Sequence, residues 1–356
     1  MVSTITTENL ARLAEQLLGS GQRVIAPARV AGMVVYKELS AAQEMLPDSA
    51  YVLPHASFKE FLFPRTECVL RYKFNEGKID STPAEPDKTP QVIIGSRPCD
   101  AASLPILDSV FGWDYKDAFY FQRRQNTTII SIACSKANES CYCTSVGHAP
   151  DETAGSDLLL KRVAPASVPA GRDAGTTTAG TEAGATYLVE VVTDKGKALL
   201  EKHAACFQQV DSAPATEVVK LEKKFDAEKI KPWLDTHFED PLWQQIATKC
   251  MGCGTCAFGC PTCHCFDIVD EGDNKGGCRL KNWDTCGSSL FTLHGSGHNP
   301  RNKQEQRYRQ RVMHKFKYYV EKFGQRACVG CGRCSDRCPV DMDLRGVLET
   351  IAKKEA

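Results

Sequence analysis

Apolar and polar positions alternate with two different periods along the first half of the chain. In residues 7–18, Leu10, Leu13, Leu17 and Leu18 recur on one helical face, and Gly19 and Gly21 then stop the helix. Two short apolar segments, 23–30 and 32–39, follow as a hairpin of strands. Residues 91–95 (QVIIG) and 128–133 (TIISIA) are β-branched runs of the kind that form buried strands. Each ends in a cysteine-bearing turn, at Cys99 and at Cys134, and a helix is expected over 101–110. Two more strand-like segments, 157–163 and 187–192, flank residues 164–186. That stretch is almost entirely Ala, Gly, Thr, Ser and Pro, reads as a long loop, and cannot bury enough surface to order itself.

The pattern changes in the second half. A polar helical stretch is expected over 216–249. In residues 301–317, Tyr308, Val312 and Phe316, with Val320 beyond, recur every fourth position. Arg301, Lys303, Arg307, Arg309, Arg311, Lys315 and Lys317 occupy the rest, so an amphipathic helix with a basic, solvated face is predicted. The expected architecture is α+β: a mixed α/β domain over 1–215, then a mainly helical ferredoxin-like domain over 216–356.

Composition narrows the chemistry. The chain has 356 residues and 18 cysteines with a net charge of zero. Two domains of this size bury adequate cores without disulfides. The first twenty residues show no secretory pattern, and no stretch reaches membrane-spanning length. A cytoplasmic chain rarely keeps many structural disulfides, so the cysteines are read as metal ligands. Charge is unevenly placed: from residue 241 onward there are 18 Lys and Arg against 12 Asp and Glu.

Cys250, Cys253, Cys256 and Cys260-Pro261 form C-x2-C-x2-C-x3-C-P, and Cys328, Cys331, Cys334 and Cys338-Pro339 repeat it. This is the two-cluster ferredoxin spacing, in which the fourth cysteine of each run ligates the other cluster. The expected sets are Cys250, Cys253, Cys256 and Cys338 for one 4Fe–4S cluster, and Cys328, Cys331, Cys334 and Cys260 for the other. Zinc sites use separated C-x2-C pairs instead. The segment between the motifs shows little strand pattern. Cys99, Cys134, Cys141 and Cys143 follow strand ends or a short loop, and are read as a third cluster. Cys263, Cys265, Cys278 and Cys286 are candidates for a fourth, with His264, His294 or His298 as substitutes for Cys278. Cys68 and Cys206 are read as isolated and unliganded.

The chain resembles the family of 4Fe–4S dicluster electron-transfer proteins typified by the iron–sulfur component of anaerobic sulfite reductase and by the beta subunit of cytoplasmic NiFe sulfhydrogenases. The landmarks are EFLFPRTE (60–67), GSRPCDAASLPILD (95–108), FYFQRRQN (119–126) and CYCTSVG (141–147). After them come CPTCHCFD (260–267), NWDTC (282–286), GHNPR (297–301) and RQRVMHKF (309–316). The resemblance implies an electron-transfer subunit. It would relay electrons between a flavoprotein subunit using NAD(P)H and a catalytic partner: a hydrogenase, a sulfite-reducing subunit or a heterodisulfide-reductase-like module. No catalytic residue of its own and no nucleic-acid partner are expected. The competing reading is a redox enzyme with its own site at a surplus cysteine cluster.

Overall fold

The computed structural model describes residues 2–165 and 184–354. Most of the loop read at 164–186 lies outside them. The fold is α+β, and its first half is built on one large sheet. Its strands are β1 (Val2–Thr6), β2 (Arg23–Val30), β3 (Met33–Glu38), β6 (Gln91–Ser96), β7 (Thr127–Ile132), β8 (Leu158–Arg162), β9 (Thr186–Val191) and β10 (Gln208–Val210). These eight lie in the order β10-β1-β9-β8-β7-β6-β2-β3. The central pairs β2–β6, β6–β7 and β7–β8 are parallel, and the flanking pairs are antiparallel. Successive residues of a strand face opposite sides. Ile94 and Ile130 therefore meet Leu10, Leu13 and Leu17 of the helix Thr7–Gly19, while Ile93 and Ile129 meet Leu104, Leu107 and Tyr120 on the other face.

A second sheet was not legible in the pattern. It is made of β4 (Thr66–Asn75), β5 (Lys78–Pro83), β11 (Phe266–Asp273) and β12 (Gly276–Trp283), in the order β11-β12-β4-β5. The segment between the cysteine motifs, expected to hold little strand, thus carries a hairpin. Strands β5 and β11 are polar and largely exposed on both faces, so alternation gives no signal. β12 pairs with β4, with Gly276 opposite Lys73 and Asn282 opposite Thr66, so the inter-motif segment is stitched to the first half of the chain.

The second half packs Trp233, Leu234, Val312, Phe316, Leu348 and Ile351 into one core. The stretch 216–249 is less helical than expected: two short helices, Ile230–Thr236 and Leu242–Ala247, follow an irregular segment. The basic helix runs over Gln304–Met313, passes through a π-turn at His314–Tyr318 and continues to Phe323. Its basic face is not a solvated one, because Arg307, Arg309, Arg311 and Lys315 are all buried. Among the described residues no helix is long and apolar enough to cross a membrane.

Candidate iron–sulfur sites

Both cysteine motifs fold as a loop that turns into a single helical turn. Gly254 and Gly332 sit at the turning point with φ of +76°, a left-handed conformation that side chains other than glycine resist. Gly330 has a further reason. A Cβ there would stand 2.6 Å from the backbone of Cys143, and its carbonyl accepts the Tyr142 N–H at 2.8 Å. The second motif is therefore laid directly on the CYCTSVG loop of the first half.

A buried ion pair fixes the same junction. The Arg333 guanidinium, 1% exposed, donates to both oxygens of the Asp100 carboxylate, one hydrogen bond being 2.7 Å. Asp100 also accepts from the Tyr36 hydroxyl at 3.0 Å. It lies one residue after Cys99, so the pair ties a third-cluster candidate to the second motif.

Three cavities result, each ringed by thiols. The first has about 600 Å³ of empty space and is lined by six cysteines, Cys250, Cys253, Cys256, Cys286, Cys334 and Cys338. The second, about 280 Å³, is lined by Cys260, Cys328, Cys331 and Cys334. The third, about 390 Å³, is lined by Cys99, Cys134, Cys141 and Cys143, with Cys331. Cys338 thus lines the first cavity and Cys260 the second, as the crossed sets require. The cavities also share walls: Cys334 and Arg311 border the first and second, and Cys331 and Gly330 border the second and third. They form a row, with the second in the middle. Cys253, in the first cavity, is exposed, whereas Cys143, Cys260 and Cys328 are buried. No group of three or more His, Cys, Asp or Glu among the described residues is arranged to hold a single metal ion; the thiols are spaced around open volumes instead.

The charge around these volumes fits an anionic occupant. Lys59, Arg311 and Lys315 are each buried, and none has a carboxylate within ion-pair distance among the described residues. Uncompensated buried cations are strongly unfavourable; sulfurs supply the counter-charge of Arg311 and Lys315, whereas at Lys59 burial outweighs the nearby sulfurs and lowers its pKa. Lys315 Nζ lies 3.3 Å from Cys260 Sγ and also donates to Thr262 Oγ1 (3.0 Å) and the Ala327 carbonyl (2.7 Å). Arg311 Nη1 points at Cys263 Sγ from 3.9 Å, and Lys59 Nζ donates to the Cys263 carbonyl at 2.7 Å. Burial works against the charge of Lys315, but the Cys260 and Cys263 sulfurs outweigh it and hold its pKa above the usual lysine range. Conversely, a hydrogen bond from Cys263, then Lys315 and Arg311, pull the Cys260 thiol well below its ordinary range. In the third cavity burial dominates, pushing Cys134 up to about 11 and Cys143 to about 12. An entering metal must displace those protons. Neutral donors reach the rims: Gln304 Nε2 donates to Cys250 Sγ at 3.0 Å, and the Tyr142 hydroxyl lies 3.3 Å from Cys328 Sγ.

The fourth set is gathered only in part. Cys278 sits on β12 opposite Arg71, whose Nη1 donates to its sulfur at 3.4 Å, and its thiol is hydrogen-bonded to Cys68 across the strands. Cys68 is therefore not isolated, and Cys278 is removed from Cys263, Cys265 and Cys286 by the length of a strand. Those three lie within reach of one another. Cys263 is hydrogen-bonded to Cys260, and Cys265 to Cys286. His294 and His298 are exposed and pack on each other, whereas His264 is half-buried beside His314, and desolvation followed by the His314 charge lowers its pKa to about 3. Cys206 is buried in the first core.

Comparison with known proteins agrees with this geometry. Residues 249–342 match the model of the 4Fe-4S dicluster domain family. The chain is also 27% identical over 341 residues to Sulfhydrogenase 2 subunit beta of Pyrococcus furiosus, a match covering 92% of each protein. No solved structure matches. Sequence reasoning missed Lys59, Gln304 and the Arg333–Asp100 pair. Of these, Asp100 and Arg333 had a visible signal, through their places beside Cys99 and Cys334.

Proposed function

We propose that the chain is an iron–sulfur electron-transfer subunit of a multisubunit oxidoreductase resembling a sulfhydrogenase. The observation that supports this is the row of three thiol-lined cavities with common walls. When bound, 4Fe–4S clusters supply one-electron couples. Cys250, Cys253, Cys256 and Cys338 would hold one cluster, Cys260, Cys328, Cys331 and Cys334 the second, and Cys99, Cys134, Cys141 and Cys143 the third. Cys331 and Cys334, as shared walls, set neighbouring sites side by side. Arg311, Lys315 and Lys59 hold positive charge where negative charge accumulates, and Gln304 and Tyr142 donate hydrogen bonds toward sulfur. The proposed partners are a flavoprotein subunit using NAD(P)H and a catalytic subunit, in the cytoplasm. Genomic neighbours encoding such subunits, and their co-purification with this chain, test the partners.

Anaerobic purification with iron analysis tests the cofactor reading. Three cubanes require about twelve irons per chain. A brown protein with that content, losing about four irons in Cys99→Ala, is expected. A colourless, zinc-loaded protein would overturn it.

A further inference from the structure

A cleft separate from the three cavities opens beside the first. It has about 1030 Å³ of empty space, partly open to solvent, within the range of small-molecule sites once that opening is discounted. His55, Arg65 and Arg337 line it together with Asn282, Phe258 and Trp283, and its described lining holds no Asp or Glu. Arg65 is paired with Glu60 at 2.8 Å, at the rim. Arg337 has no carboxylate within ion-pair distance among the described residues. Its Nη2 donates to the Pro54 carbonyl at 3.0 Å, and its Nη1 is buried without a partner. The region is positive enough to be felt by a neighbour: burial first, then Arg337 and Arg333, hold the His55 imidazole below its ordinary range. Phe258 leaves 41% of its surface exposed. Thr255 belongs to the walls of both the cleft and the first cavity, and its hydroxyl lies 3.4 Å from Cys253 Sγ.

A cleft with two guanidinium groups, one of them shared with Glu60 at the rim, and exposed aromatic surface suits an anion joined to a flat ring. We propose that it binds a phosphate-bearing aromatic nucleotide of the flavin mononucleotide type. Arg65 at the rim and the Arg337 charge in the wall attract the phosphate, and Phe258 faces the ring system beside Trp283, whose own ring carries the Lys59 ammonium at 4.0 Å. Asn282 offers a neutral amide between them. Placed there, the ring is separated from the first cavity by the width of Thr255. The use of that position for electron entry rests on the electron-transfer reading above; the binding does not.

The test is isothermal titration of the anaerobically purified, cluster-loaded chain with three probes: flavin mononucleotide, riboflavin and inorganic phosphate. The mononucleotide should bind at least about tenfold more tightly than either of the others, because each lacks one half of the recognised pattern. Equal affinity for the mononucleotide and either fragment, or no binding, overturns the proposal. Arg337→Gln and Asn282→Asp should each weaken mononucleotide binding about tenfold, the effect of removing one charge-assisted hydrogen bond or adding one repulsion. Asn282→Asp lies on β12 away from the motif cysteines, so it reads the cleft even where Arg337→Gln disturbs its neighbour Cys338. Unchanged affinity in both variants puts the ligand elsewhere and overturns the assignment. Iron content on the same samples keeps the two readings apart: nucleotide binding by an iron-free chain would leave the cleft standing and sink the electron-transfer function.

Discussion

Lys315 offers the sharpest test of how the protein sets the potential of its central site. Its ammonium is 3% exposed, lies 3.3 Å from Cys260 Sγ and has no carboxylate partner among the described residues. Adding an electron to a cluster held by Cys260, Cys328, Cys331 and Cys334 adds one negative charge, spread over the cluster rather than placed on one sulfur. Taking the mean separation from Nζ as about 6 Å and an effective dielectric of about 20, the ammonium favours the reduced state by about 3 kcal/mol. That corresponds to about 120 mV for a one-electron couple. Lys315→Gln removes the charge while keeping a donor for Thr262 and the Ala327 carbonyl. The midpoint potential of one cluster should therefore fall by about 100 mV in an anaerobic redox titration followed by EPR. Arg309→Gln is the matched control. Sequence periodicity places Arg309 and Arg311 on the same basic helix, but Arg309 turns to Glu239 at 2.7 Å and stacks on Phe238. Its removal should leave all potentials within about 20 mV, given screening at that distance from the cavities. A rise in potential for Lys315→Gln, no shift, or an equal shift for Arg309→Gln would refute the reasoning.

Other consequences are open to direct measurement. Cys338→Ala should remove the cluster held with Cys250, Cys253 and Cys256, and spare the one held with Cys328, Cys331 and Cys334; EPR of the reduced variant that shows the reverse loss would exclude the crossed ligand sets. Arg333→Met leaves the Asp100 carboxylate buried without its partner and should destabilise the chain by about 3–5 kcal/mol in chemical denaturation. Adding Asp100→Asn should recover part of that loss, and a double variant no more stable than the single one would show that the pair is not the source. Gly330→Ala forces a Cβ to within 2.6 Å of the Cys143 backbone at a φ of +63°. It should cost about 2 kcal/mol or more and lower iron content by about four per chain, through loss of the third site. Removing iron with a chelator under anaerobic conditions should lower the melting temperature sharply, because Lys59, Arg311 and Lys315 then lose part of their counter-charge. An unchanged melting temperature would mean that these cations are balanced in some other way.

Some of this molecule is written in local sequence. The two C-x2-C-x2-C-x3-C-P runs specify thiols at intervals that wrap a cluster, since the geometry needed spans only a few residues and depends on glycines at fixed offsets. The buried strands β6 and β7 were equally legible, because a strand covered on both faces reads as an unbroken apolar run. Exposed strands such as β5 and β11 give no such run, so the second sheet surfaced only in the fold. Helical periodicity identified the face carrying Tyr308, Val312 and Phe316, but could not say what the basic residues beside it would meet. Burial of Arg311 and Lys315 depends on thiols that arrive from about 50 residues away in the chain, and burial of Lys59 on sulfurs about 200 residues away. Tertiary structure alone separated Cys278 from the other surplus cysteines, by placing it in the middle of a strand pair. It alone also lined up the three cavities through Cys331 and Cys334. Local spacing supplied the candidate ligands. Which sites are neighbours, and which cations they face, was decided by contacts between segments that local spacing does not encode.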